Sequence, residues 1–349
     1  MVGNSNMKVL HLIVLLFLCH VLTGCMPKIY PLGEKNHLAQ ISKGVFITED
    51  GSHLPLREWL PKADVQAVMI ALHGFNDYSH FFDRPGQYFS EQGIACFAYD
   101  QRGFGAAPRR GLWAGEATYT GDLKALVLLL KQRYPKRPVY LLGESMGGAV
   151  IIAAMSKAPI PDINGIILAA PALWARSTMP WYQSSLLWTL SHSMPWLTLT
   201  GRGIKITPSD NIDMLRALGR DPWVIKKTRV DALHGLTDLM DSAYASASLL
   251  QGNTLVLYGE KDEIIPKKAT YNFLQQFLVT HSADKKVAFY QQGYHMLLRD
   301  LQATIAWQDI AAWIDSSAKQ LPSGADNRAQ QVLVEWLAAN SGNTQAKVN

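Results

Sequence analysis

Val139-Tyr140-Leu141-Leu142-Gly143-Glu144-Ser145-Met146-Gly147-Gly148-Ala149-Val150-Ile151-Ile152 is the stretch on which the fold of this chain turns. An apolar run of strand length ends in a glycine. A serine stands two residues later, flanked by a second glycine, and an apolar run of helical length follows at once. Strand, tight turn and helix form the context that a serine nucleophile requires. The turn lifts the Ser145 hydroxyl clear of its neighbours, and Gly143 and Gly147 let adjacent backbone pass close by. The helix N-terminus points amide groups and the positive end of its dipole at the reacting centre. Gly-x-Ser-x-Gly arises by chance only ~0.1 times in a chain of this length, and the strand–helix context lowers that further.

Working outward, a serine hydroxyl is a poor nucleophile at neutral pH and needs a base, which in turn needs an orienting carboxylate. On a scaffold of this kind the expected chain order is serine, acid, histidine. Asp262 follows the apolar run 253–258, in a loop at the C-terminal end of a strand, where functional residues of parallel sheets collect. Glu260 and Glu263 are its rivals. His295 lies between the run 287–291 and a final helix, the position that the base must occupy, whereas His281 reads as a solvated residue at a helix end. The run 66–72 leads into His73-Gly74-Phe75-Asn76-Asp77, and the backbone amides of Phe75 and Met146 are the expected donors to a developing oxyanion. His73 is expected to brace that turn through hydrogen bonds.

Short apolar runs at 45–48, 54–60, 66–72, 94–99, 138–142, 164–169, 253–258 and 287–291 have strand length and branched residues. Helical spacing marks 79–92, 117–134, 146–157 and 300–317. The alternation predicts the α/β class: about eight strands in a mostly parallel sheet flanked by helices. It breaks at 172–250, after the sixth run. That insert holds Trp174, Trp181, Trp188, Trp196 and Trp223, half of the chain's 10 tryptophans, and is too long to lack structure of its own. It predicts a helical cap whose aromatic residues either line a site for a greasy substrate or form the cap's own core. The core is expected at 45–171 and 251–320, with a C-terminal extension at 321–349 that contains a short helix at 327–339 and a disordered tail after Asn340.

The first 24 residues pair Lys8 with the apolar run Val9 to Val21, shorter than a spanning helix needs, and predict an export signal. Residues 25–44 read as a tether, with Pro27, Pro31, Gly33 and Gly44 and little periodicity. The remaining composition narrows the class. A hydrophobic share of 48% with 17% charged residues excludes a disordered chain. The net charge of +5 over 349 residues is too mild to suggest nucleic-acid binding. The 3 cysteines form no CxxC pair, so neither a zinc site nor a disulfide framework is expected, and Cys96, inside an apolar run, reads as a buried structural thiol.

Two resemblances follow from these residues. Leu22-Thr23-Gly24-Cys25 resembles a bacterial lipobox, which implies cleavage before Cys25, its acylation, and an exported, membrane-anchored lipoprotein. Met26 in place of an aspartate points to an outer-membrane or cell-envelope address. Residues 44–317 resemble the α/β-hydrolase superfamily, and within it the monoacylglycerol lipase and lysophospholipase branch. The pieces that carry the likeness are His73-Gly74-Phe75 with Asp77, Tyr99-Asp100-Gln101-Arg102-Gly103-Phe104-Gly105, the elbow at Ser145, Gly259-Glu260-Lys261-Asp262, and Tyr294-His295-Met296-Leu297-Leu298. The resemblance implies a cofactor-free, metal-free serine esterase acting on single-chain acyl lipids, with no obligate protein partner. Asp100 and Arg102 are expected to form an acid–base pair in a tight turn. An esterase, an acyltransferase or an aminopeptidase would use the same triad, and a silent lipid-binding lipoprotein is the alternative outside catalysis.

Overall fold

The computed structural model describes residues 26–345 except 202, 204, 280–283 and 316–319. The export signal, Cys25 and His281 therefore lie outside the described residues. In chain order the strands are β1 Gln40–Ser42, β2 Val45–Ile47, β3 His53–Trp59, β4 Ala67–Leu72, β5 Ile94–Tyr99, β6 Val139–Glu144, β7 Gly165–Ala169, β8 Thr198–Leu199, β9 Thr228–Arg229, β10 Thr254–Gly259 and β11 Lys285–Tyr290. The helices are α1 Asp83–Glu91, α2 Glu116–Arg133, α3 Met146–Lys157, α4 Trp181–Ser193, α5 Ile212–Arg220, α6 Val230–Ala245, α7 Lys267–Val279, α8 Ala303–Ile314 and α9 Ala325–Gln345.

Nine strands form one sheet in the order β1-β2-β3-β5-β4-β6-β7-β10-β11. From β5 to β11 every pairing is parallel, whereas β1, β2 and β3 join antiparallel at one edge. Each central strand alternates its side chains between two cores. Val68, Ile70 and Leu72 face the layer that holds α2 and α3, and Met69 and Ala71 face the layer that holds α1 and α8. With both faces covered, these strands read as continuous apolar runs. Each large side chain buried in this way contributes roughly 1.5–3 kcal/mol. Cys96 on β5 is fully buried, and burial pushes its thiol well above its ordinary pKa, as a structural thiol requires.

Four expectations need correction. The segment 25–44 is not a free tether from Ile29 onward. Ile29 bridges to Trp113, Tyr30 N–H donates to the Trp113 carbonyl at 2.9 Å, the Arg109 guanidinium sits 4.6 Å from the Tyr30 ring, and residues 40–42 add an edge strand. With that extra strand the insert follows the seventh strand rather than the sixth. Asp100 and Arg102 do not pair with each other. Asp100 accepts from Ser79 N and Oγ and from Ala106 N, while Arg102 forks between Asp122 and Asp50 at 2.7 Å each. The motif thus staples the edge hairpin to α2. At the other end, the C-terminal helix runs to Gln345, beyond the expected end at 339, and lies across β11 with Trp336 edge-on to Tyr271 at 5.6 Å. Among the described residues no helix is long and apolar enough to cross a membrane.

The cap consists of α4, α5, α6 and the small β8–β9 ribbon, with α4 packed on α6 and α6 packed on α3. Its tryptophans fit neither expectation as a group. Trp174 is half-buried, but Trp181, Trp188, Trp196 and Trp223 are 79, 58, 56 and 45% exposed.

Candidate active site

The elbow is built by close approach. Ser145 has φ 52° and ψ −113°, a conformation that L-residues rarely adopt. Its N–H donates to the Ala169 carbonyl at 3.0 Å and its carbonyl accepts from Ala172 N at 2.9 Å, so the end of β7 holds the strained turn. A Cβ at Gly147 would lie 2.2 Å from the Leu72 carbonyl oxygen, and one at Gly143 would lie 2.4 Å from Gly148 N. Both glycines are therefore required by space, as the sequence pattern anticipates.

The loops after β10 and β11 bring Asp262 and His295 together. His295 Nδ1 lies 2.8 Å from Asp262 Oδ2, and both side chains are buried. Asp262 Oδ1 accepts from Ile264 N at 2.8 Å and Ile265 N at 3.0 Å, which fixes the carboxylate plane. That bond assigns the Nδ1 proton to His295 and leaves Nε2 as the acceptor. Burial opposes a charge on this ring, but the charge and hydrogen bond of Asp262, together with Glu144, outweigh it and raise the His295 pKa. The rivals are engaged elsewhere. Glu260 forks with Arg328, and Glu263 accepts from Thr207 N at 2.6 Å.

The turn expected to receive an oxyanion passes against Ser145: a Cβ at Gly74 would sit 3.4 Å from Ser145 Cβ. Met146 is the first residue of α3, so its N–H has no intrahelical acceptor. Of the two expected donors, Met146 follows Ser145 directly and Phe75 lines the same cavity as Ser145. His73 is fully buried. Its Nε2 accepts from Gln101 N at 2.9 Å and its Nδ1–H donates to the Gly74 carbonyl at 2.8 Å. Burial lowers its pKa, and a neutral ring in this tautomer braces the turn, in line with the expectation.

Ser145, His295, Gly74 and Phe75 open onto one cavity of about 530 Å³. Trp174, Met179, Leu187, Leu236 and Met240 of the insert supply its apolar wall. Hydrogen bonds join the insert to each loop of the site. Asn76 accepts at its carbonyl from Ile225 N at 2.9 Å and donates from Nδ2 to Thr228 Oγ1 at 2.7 Å. Met296 N donates to the Pro208 carbonyl at 2.9 Å, and Ser209 Oγ donates to Asp300 Oδ1 at 2.6 Å. The other oxygen of Asp300 accepts from Tyr294 N at 2.7 Å, and burial raises this carboxyl to about 6 against the pull of those two donors.

Four charged residues near Ser145 received no role from sequence reasoning: Asp77, Glu144, Arg299 and Asp300. Arg299 Nη2 lies 2.7 Å from both Glu144 Oε1 and Asp77 Oδ2. The available signal was Glu144 itself, a carboxylate set inside an otherwise apolar strand-to-helix junction.

The chain is similar to the monoacylglycerol lipase of Mycolicibacterium smegmatis, 24% identical over 270 residues that cover 74% of this chain and 91% of that protein. It is likewise similar to the monoglyceride lipase of Rattus norvegicus, 27% identical over 277 residues that cover 77% and 88%. A soluble variant of monoglyceride lipase from Saccharomyces cerevisiae, solved in complex with a substrate analog, superposes with a TM-score of 0.67 at 19% identity, over 84% of this chain and all of that one. The family model described as Serine aminopeptidase, S33, matches residues 63–302, and with well over half its length inside that match this chain belongs to that family and carries the α/β-hydrolase fold.

Proposed function

We propose that the protein is a serine hydrolase that cleaves carboxylic esters of single-chain lipids, of the monoacylglycerol or lysophospholipid type, through an acyl-enzyme at Ser145. Carboxylic ester hydrolysis follows from the family and its lipase relatives. The observation that carries the finer reading is the His295–Asp262 bond beside Ser145, at the base of a cavity walled by apolar cap residues. A cavity of about 530 Å³ suits one acyl chain with a small headgroup.

In this reading an acyl ester enters between cap and core. His295 Nε2 takes the proton as Ser145 Oγ attacks the carbonyl carbon. Asp262 holds the imidazole in the correct tautomer and stabilises its positive charge. The Phe75 and Met146 amides receive the oxyanion. His295 then protonates the leaving alcohol, and water enters by the same route to release the fatty acid. The carboxylates on the cavity wall bear on the aminopeptidase alternative. Arg299 pairs with both Asp77 and Glu144, and Glu263 accepts from Thr207 N, so each carboxylate on that wall already has a partner within the protein.

Acylation of Cys25 would hold the enzyme on a membrane of the cell envelope, beside its substrates. The exposed Trp181 and Trp188 on a cap without a charged residue from Ser177 to Gly201 support work at a lipid surface. The test compares the full chain with Ser145→Ala on monoacylglycerol, lysophospholipid, triacylglycerol and a short soluble ester. Ser145-dependent turnover strongest on one single-chain lipid is the expected result. Turnover of the short ester alone would sink the lipid reading while leaving the triad. Full turnover by Ser145→Ala would remove the triad itself.

A further inference from the structure

We propose that Arg299 is a positioning residue for acyl transfer, because one guanidinium nitrogen ties together the three loops that carry an oxyanion donor, the nucleophile and the base. The proposal rests on the triad reading above. Asp77 closes the turn that starts at Gly74, with Asp77 N 3.3 Å from the Gly74 carbonyl. Glu144 immediately precedes Ser145. Arg299 belongs to the His295 loop and is fixed to it by its own N–H, 2.8 Å from the Met296 carbonyl. Nη2 reaches both carboxylates at 2.7 Å, and the three side chains are no more than 9% exposed.

The form of the junction argues against a plain stabilising ion pair. An arginine that serves stability alone does best as a two-nitrogen fork on one carboxylate. Here one nitrogen serves two loops, and Arg299 Nε and Glu144 Oε2 are left buried without partners. Pairing strength is given up for a contact that spans the ends of β4 and β6 and the loop after β11. Asp77 and Glu144 would repel each other without the cation between them. Removing Arg299 would therefore loosen the registry of all three loops at once, and small misplacements of reacting groups cost rate steeply.

The charged groups that face His295 are Asp262, Glu144 and Arg299, with Glu263 on the same cavity wall and Asp77 reached through Arg299. Glu144 favours the protonated imidazole and Arg299 opposes it. Loss of Arg299 should therefore raise the pKa that governs kcat/KM, while a fall in kcat per titrated site at near-constant KM is the change that a purely structural role would not produce.

The experiment measures hydrolysis of a soluble p-nitrophenyl ester by the full chain in detergent. Functional sites are counted by fluorophosphonate titration, with Ser145→Ala as the blank. The variants are Arg299→Met, Arg299→Lys, Glu144→Gln and the double variant Arg299→Met/Glu144→Gln. In Arg299→Met, kcat per titrated site should fall about 100-fold, KM should change less than about threefold, and the kcat/KM profile should move to higher pH. Arg299→Lys should recover part of the rate and the original profile. The double variant should recover the profile but not the rate. Unchanged kcat per site with a lower thermal midpoint would overturn the proposal, as would a rise in KM alone or full kcat in the double variant. If Arg299→Met does not fold, Arg299→Lys and Glu144→Gln decide: each should lose about tenfold in kcat, and full kcat in both overturns the proposal. A Ser145→Ala blank that still turns over would instead indict the triad.

Discussion

His295 is held between opposing influences: burial disfavours its charge, and Asp262 and Glu144 favour it more strongly. The base in the proposed mechanism is the neutral ring. kcat/KM should therefore rise with pH through a midpoint above ~6.5, the ordinary imidazole value. A profile flat from pH 5 to 9 would contradict the assignment. The same shift acts on folding with the opposite sense. A folded pKa above the unfolded one contributes stability that is complete below ~6.5 and fades as pH rises through the folded value, so activity and this part of stability pull apart. Asp262→Asn should lower kcat by about 10⁴-fold and pull the midpoint down, read by steady-state kinetics across pH. Ser145, Asp262 and His295 were legible in the sequence as a candidate triad because the proposed chemistry demands those residue types in a fixed order at strand ends. Arg299 was not. Its partners Glu144 and Asp77 lie in other loops, Glu144 at a separation of 155 residues, and no local pattern marks such a junction.

At the scale of elements, the elbow is tightly constrained. A Cβ at residue 147 meets the carbonyl of Leu72, which β4 and its neighbours hold in place, so backbone rather than a flexible side chain must give way. Gly147→Ala should cost about 1–3 kcal/mol of stability, a drop of several degrees in Tm by calorimetry, and the remaining folded protein should lose at least about tenfold in kcat because Ser145 moves with the turn. An unchanged Tm would refute the contact. The core strands and the helices expected at 79–92, 117–134, 146–157 and 300–317 emerged from the sequence to within a few residues, because two-sided burial makes apolar runs and helix faces distinct. The edge was misread. β1 and the bridge at Ile29 are held by backbone pairing in a segment with no periodic apolar face, and polar pairing partners leave no such trace.

For the molecule as a whole, the cap and the core behave as one clasped unit. The oxyanion turn, the Asp262 loop and the His295 loop each bond to the insert, through Asn76, Glu263 and Met296. The wall that would receive the substrate in the proposed reaction is therefore tied to the groups proposed to act on it. The outer face of the same cap carries Trp181 and Trp188 in water. If that face meets lipid, Trp181→Ser/Trp188→Ser in a Cys25→Ser background should reduce sedimentation with anionic vesicles several-fold relative to Cys25→Ser alone, since each aromatic ring that leaves water contributes on the order of 2 kcal/mol. Equal sedimentation of the two proteins would show that the face stays in water.

Sequence alone determined the alternating strand–helix core and the elbow, and it singled out Ser145, Asp262 and His295 as the proposed nucleophile, acid and base, because periodicity and covalent order are local properties and the proposed reaction restricts which residue can stand where. Only the tertiary structure decided that Asp100 and Arg102 serve different partners, that most cap tryptophans face outward, that the N-terminal strap lies on the Trp113 loop, and that Arg299 joins three loops. Each of these depends on where distant segments meet, and a buried charge or an exposed ring takes its meaning from neighbours that the linear order does not bring together.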